Sequence, residues 1–336
     1  MIPRLAIGRR QRGVTLTELM IALVLGALVV LAATSVVVTS RGTYRNQDEA
    51  TRIAESSRFG LELVNRMVRL AGYTNYGDDQ YIPAFYTPDA SWDVSDAYAL
   101  NGPNLSGGNN SKPGGGSGYN GSDSITIRYY GASTGVPGST PQPADGNILD
   151  CAGIGVPSPT TDAIAYTTSR AYNVLFVDLD VDNEPALKCR RQTYDAATGT
   201  PMSMDTQTLI HGVESFQVLY GEATYAAGGD PDKDVPLSIA YHQGIGGGNP
   251  VINWDNVVTV RIAMLLRSGP GAQVDTTPKT YDLFGATYPN AGSDSGTQFG
   301  TAALSVAERS RMRRVVETTV FVRNRISPWT QLQGIN

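Results

Sequence analysis

From Leu19 to Ser40 the chain carries no Asp, Glu, Lys or Arg. At ~1.5 Å per residue this run makes a helix of about 33 Å, enough to cross a bilayer core. One carboxylate, Glu18, stands just inside its start. A charge in hydrocarbon costs several kcal/mol and marks a functional position with a partner. Arg4, Arg9, Arg10 and Arg12 precede the run, with no acidic residue among them. The positive-inside rule keeps that end cytoplasmic and exports the remainder. A cleaved secretory signal is the rival reading. The run exceeds an h-region of about 7–15 residues, and no A-x-A-like site follows it.

From Arg41 the pattern changes to one apolar stripe. Tyr44, Ala50, Ile53, Ala54, Leu61, Val64, Met67, Val68 and Ala71 recur mostly at three- and four-residue steps. Arg45, Asp48, Glu49, Arg52, Glu55, Arg58, Glu62, Arg66 and Arg69 fill the other face, read as solvated. One helix from Thr15 to Ala71 is expected, with Gly72 as its stop. Ser57 and Gly60 interrupt it and are expected to soften it. The stripe needs an apolar partner, and the strands that follow supply one.

Residues 72–122 read as irregular. Asn101–Gly121 is nearly all Gly, Asn, Ser and Pro, and we expect a surface loop there. Alternation begins at Ser124–Tyr130. Ala163–Tyr166, Tyr172–Val177, Ala186–Arg191, Leu209–Ile210, Val213–Tyr220, Asn256–Arg267 and Val315–Val322 follow as strands. With no helical pattern between them they predict antiparallel sheets. The fold class is α+β, a long N-terminal helix packed on a C-terminal antiparallel β-sheet domain.

Composition narrows the function. The chain has 336 residues and a formal net charge of −5, which argues against a general nucleic-acid surface. Gly 37, Pro 19 and Tyr 17 against Phe 7 suit a turn-rich exported β domain.

Gly13-Val14-Thr15-Leu16-Thr17-Glu18-Leu19 resembles the prepilin signal of type IV pilins, G-F-T-L-I-E-L. Val14 stands in place of Phe and Thr17 in place of Ile. The resemblance implies that a prepilin peptidase cuts between Gly13 and Val14 and methylates the new amine. It also implies that Glu18 meets the N-terminal amine of a neighbouring subunit. Later landmarks, in order, are Ala71–Tyr73, Asp123–Tyr129, Leu187–Arg190, Leu209–Gly221, Val257–Ser268 and Arg313–Asn324. Together they resemble a PilW-type minor pilin, a family similar to the J-type minor pseudopilins of type II secretion. The implied organisation is a cytoplasmic leader over 1–13 and a helix over 14–71. Within the helix, 14–40 is transmembrane and polymerising and 41–71 is amphipathic. Residues 72–122 form the irregular region and 123–336 a periplasmic β domain. The implied role is a low-copy subunit of a tip complex that primes pilus assembly. Its partners would be other minor pilins, the major pilin, a tip adhesin and the inner membrane, with no specific nucleic acid. The alternatives are a pseudopilin of a type II secretion system and an anchored periplasmic binding or adhesive domain that never polymerises.

Cys151 and Cys189 lie on the exported side, where disulfides persist, and are expected to bridge. Two acidic turns, Asp178–Glu184 and Asp230-Pro-Asp232-Lys-Asp234, are read as solvated. Calcium is the alternative chemistry, with Asp230, Asp232 and Asp234 as the candidate ligands. No other cofactor is expected. G-x-S-x-G, a Walker loop and H-E-x-x-H are all absent from the sequence, and His211 and His242 are isolated, so no enzyme is expected.

Overall fold

The computed structural model describes residues 13–73, 104–135, 138, 140–160, 170–227, 235–251 and 253–324. Helix α1 runs from Leu16 to Leu70 without a break. The chain divides into two units, one ending at Glu49 and one beginning at Ala50.

In the first unit the side chains from Leu16 to Val38 are exposed on all sides of the helix. By length and composition this is a helix able to cross a membrane. Three of its hydroxyls bond within the helix. Thr34 Oγ1 donates to Leu31 O (2.9 Å), Ser35 Oγ to Ala32 O (2.8 Å) and Thr39 Oγ1 to Ser35 O (2.9 Å). No free donor from these side chains is left for hydrocarbon.

In the second unit the helix buries Ile53, Ser57, Gly60, Leu63, Val64, Met67 and Val68. Ser57 and Gly60 therefore do not soften the helix as expected. They lie on the packed face. A Cβ on Gly60 would sit 2.8 Å from Ile210 Cδ1 and 3.1 Å from Met264 Cε, so the tips of these two side chains would have to shift to admit even a methyl group. Ser57 Oγ returns its hydrogen bond to Ile53 O. Gly72, at φ +71°, stops the helix in the left-handed conformation that glycine adopts at no steric cost.

The strands are β1 (Leu105–Gly108), β2 (Ser124–Tyr129), β3 (Ala171–Leu179), β4 (Pro185–Tyr194), β5 (Pro201–His211) and β6 (Val213–Thr224). They continue with β7 (Ser238–His242), β8 (Val257–Arg267), β9 (Thr280–Asp282), β10 (Gln298–Gly300) and β11 (Arg313–Phe321), with a one-turn helix α2 (Val306–Arg309) before β11. One sheet has the order β1-β2-β3-β4-β5, a second β11-β8-β6-β7, and β9 pairs with β10. Every strand pairing is antiparallel. Ile125, Ile127, Leu175, Val177 and Leu187 of the first sheet join Phe216, Val218, Val260, Ile262 and Met264 of the second in one core with the α1 stripe. Each such aliphatic side chain contributes roughly 1.5–3 kcal/mol on burial, which makes the stripe the main tie between helix and sheets.

Two backbone junctions join the sheets. At the corner between β5 and β6, Gly212 (φ +78°) donates to Pro185 O of β4 (2.8 Å) and accepts from Arg267 N of β8 (2.7 Å). Ahead of β2, Asp123 donates its N–H to Phe216 O (2.8 Å), and its carboxylate accepts from Val218 N and Asn110 N (2.9 Å each). Burial drives the Asp123 carboxyl well above its ordinary value, against the pull of these bonds.

The expectation of a surface loop over 101–121 is corrected by β1, whose four residues are all buried. Its glycines serve close approach, since a Cβ on Gly107 would fall 1.9 Å from Tyr220 Oη. The strand expected at Ala163–Tyr166 lies outside the described residues.

Candidate assembly site

Leu16, Leu19, Met20 and Val14 are exposed around Glu18, so the carboxylate sits on an apolar cylinder with no side chain from elsewhere against it among the described residues. Its partners are local. Thr15 N donates to Glu18 Oε2 (3.0 Å), Thr15 Oγ1 donates to the same oxygen (3.0 Å), and Glu18 N donates back to Thr15 Oγ1 (3.3 Å). This is a capping box, Thr at the cap and Glu three residues on, satisfying two orphan N–H groups at the helix start. The carboxylate at the helix N-terminus also faces the favourable end of the helix dipole. The spacing T-x-x-E was the signal that could have revealed it. Among the described residues beyond its chain neighbours, nothing lies within 4 Å of where a Cβ on Gly13, the residue before the expected cleavage point, would stand. The leader before it lies outside the described residues.

Cys151 and Cys189 form a disulfide, as expected, with Cα atoms 6.4 Å apart and a separation of 38 residues. The loop that carries Cys151 is shaped by Asp150. Its carboxylate accepts from Ala152 N (2.8 Å) and Ile154 N (2.9 Å) and pairs with buried Arg191 (2.8 Å). Cys151 N donates to Asn173 Oδ1 (3.2 Å) on the neighbouring β3.

Sequence reasoning missed a cluster of three arginines and three glutamates at one end of the sheets. Arg313 pairs with Glu214 through Nε (2.6 Å) and Nη2 (2.9 Å). Arg267 reaches Glu214 (3.0 Å), Glu308 (2.9 Å) and Glu184. Arg311 bonds Glu184 (3.0 Å) and Glu308 (3.1 Å). The charges cancel, and the group joins the β3–β4 turn, β6, β8, α2 and β11. Burial would raise the Glu184 carboxyl, but Arg267 and Arg311 hold it below its ordinary value.

The first acidic turn is occupied by protein partners. Asp178 pairs with Lys112 (2.9 Å), and Asp180 with His211 (3.1 Å). His242 faces Asn249 Oδ1 (3.2 Å) and Glu222 (3.8 Å). Asp230, Asp232 and Asp234 lie outside the described residues. Among the described residues no three His, Cys, Asp or Glu side chains converge as metal ligands would.

A helix with an all-round apolar first half, followed by antiparallel sheets, defines a pilin-like protein. The prokaryotic N-terminal methylation motif matches residues 8–34, and the family described as type IV pilus-assembly protein W matches residues 174–324, from β3 past β11. These two matches bear out the resemblance to PilW-type minor pilins, and with it a type IV pilus-related, structural role. Neither the curated proteins nor the solved structures yielded a match.

Proposed function

We propose that this chain is a minor pilin that helps prime type IV pilus assembly as part of a tip complex. Cleavage between Gly13 and Val14 frees the Val14 amine, which is then methylated. The processed chain stands in the inner membrane with the unit from Ala50 on the periplasmic side, and its helix packs laterally against those of other pilins. The observation that carries this reading is the single carboxylate, Glu18, on an exposed apolar helix whose start matches the methylation motif.

The capping box adds a physical account of the step. Before assembly Thr15 N and Thr15 Oγ1 satisfy the Glu18 carboxylate within its own helix. In hydrocarbon an ion pair with a neighbour's amine neutralises two charges that are each costly alone. Entry into the fibre then exchanges a local bond for an intermolecular one. The experiment is Glu18→Ala in cells that assemble the pilus, with incorporation into sheared fibres measured. Loss of incorporation with normal membrane insertion is the expected result. Unchanged incorporation would overturn the reading. A peptide beginning at N-methylated Val14, found by mass spectrometry after co-expression with a prepilin peptidase, tests the processing step separately.

A further inference from the structure

Beside β11 the second unit holds a groove of about 760 Å³, lined by α1 from Ala54 to Leu70 and by Arg314 and Val316. Four of its side chains are arginines, Arg58, Arg66, Arg69 and Arg314, against one carboxylate, Glu62. Arg66 donates to Asp150 O (3.3 Å). Among the described residues the guanidinium groups of Arg58, Arg69 and Arg314 meet no carboxylate within ion-pair distance. Between the charges lie Ala54, Leu61, Leu70 and Val316, none fully covered.

The wall of this groove is a free sheet edge. Strand β11 is the last strand of its sheet and pairs only with β8 among the described residues. Ser268 N donates to Met312 O, and Val322 N to Val258 O. These bonds fix the alternation of the ladder: even-numbered residues turn their backbone toward β8, and odd-numbered residues turn theirs outward. Among the described residues the N–H and C=O groups of Val315, Glu317, Thr319 and Phe321 thus face the open side without a backbone partner, and the last three residues are exposed. An exposed edge of this length is a template for another strand unless it is covered. The dimensions agree. The helix segment Ala54–Leu70 spans about 24 Å. A seven-residue strand alongside Val315–Phe321 spans about 23 Å.

We propose that this edge and groove receive an extended acidic segment of a partner polypeptide, added to the sheet as a further strand beside β11. Its backbone would pair with the outward groups of Val315, Glu317, Thr319 and Phe321. On its α1-facing side, carboxylates would meet Arg58, Arg69 and Arg314, and small apolar side chains would cover Leu61, Leu70 and Val316. Main-chain bonds supply the register and side chains the selectivity, as in other cases of strand addition. The inference stands on the unit from Ala50 and does not depend on the assembly reading.

The test uses the full chain in nonionic detergent and a fluorescein-labelled peptide, Glu-Thr-Val-Thr-Glu-Thr-Glu, whose Glu and Val side chains share one strand face, followed by anisotropy. A peptide with Lys in place of Glu is the control. We expect the acidic peptide to bind at least tenfold more tightly than the Lys peptide. Its ¹³C-labelled amide I band should move to the β-sheet range on binding. Thr319→Pro removes one outward N–H from an edge position that tolerates proline. It should weaken binding at least tenfold while the near-ultraviolet circular dichroism stays unchanged. Arg58→Glu with Arg314→Glu should do the same, and this exposed pair carries the test if Thr319→Pro fails to fold. Equal binding by folded Thr319→Pro, or no loss in the charge-reversed chain, would overturn the proposal. So would displacement of the peptide by phosphatidylglycerol vesicles, which would mark the groove as a lipid-headgroup site. Binding seen only after truncation beyond Asn324 would assign the groove to the chain's own continuation and overturn it as well.

Discussion

The Glu214 carboxylate is gripped on both oxygens by the Arg313 guanidinium, at 2.6 and 2.9 Å, in a pair whose side chains are 2% and 1% exposed. Ninety-nine residues separate the two along the chain. The bidentate geometry matches the planar fork of arginine. Glu214→Leu leaves Arg313 charged, buried and unpaired, and should cost about 3–5 kcal/mol. The joint change Glu214→Leu with Arg313→Met should lose distinctly less, since no orphan charge remains between them. Thermal unfolding of both variants, followed by near-ultraviolet circular dichroism, checks the order.

Glu184 sets a pH dependence. Its folded carboxyl lies below the ordinary value of 4.5 because Arg267 and Arg311 outweigh the effect of burial. A depressed carboxyl contributes stability that is complete above its unfolded value and is lost as pH falls through the folded one. The melting temperature should therefore fall below about pH 4.5, and Glu184→Gln should flatten that acid limb. An acid limb of identical slope in Glu184→Gln would contradict the assignment.

The disulfide closes a stretch of 38 residues. On the chain-entropy account this stabilises the fold by about 4 kcal/mol, with measured values often lower. Reduction, or Cys151→Ala with Cys189→Ala, should lower the unfolding midpoint accordingly. Each cysteine is buried, so dithiothreitol should act slowly on the native chain and fast in mild denaturant.

Gly60 offers a steric test. For Gly60→Ala, the gain in helix propensity of about 1 kcal/mol is set against the flexible tips of Ile210 and Met264. The result should lie near neutral. Gly60→Leu places three further carbons in a packed interface and should cost about 3 kcal/mol. Urea unfolding midpoints distinguish the two.

Much of the architecture could be read from local pattern. The apolar run, the stripe from Ile53 to Ala71 and the strands near Ser124, Tyr172, Ala186, Val213, Val257 and Val315 follow from alternation and periodicity alone. Glu18 stood out because a charge is costly where it lies. What escaped depends on contacts distant in sequence. Leu105–Gly108 looks like a linker because glycine serves flexible turns and close approach equally, and only the Tyr220 ring tells which. The first half of β5 holds no buried residue and opens on Pro201, which reads as a break, and the short Met202–Met204 alternation is too brief to mark a strand. The charged cluster gathers Glu184, Glu214, Arg267, Glu308, Arg311 and Arg313, and no short window contains the whole group.

The corner at Gly212 has a mechanical consequence. One residue carries the chain from one sheet to the other, and its two backbone groups are each bonded into a different sheet. A load that pulls the sheets apart falls on this junction as well as on the shared side-chain core. Separation must break at least one of the Pro185 and Arg267 bonds, because a single residue leaves no slack between them. The two sheets should yield to force in a single event, and slow amide exchange at Gly212 and Arg267 should track global unfolding.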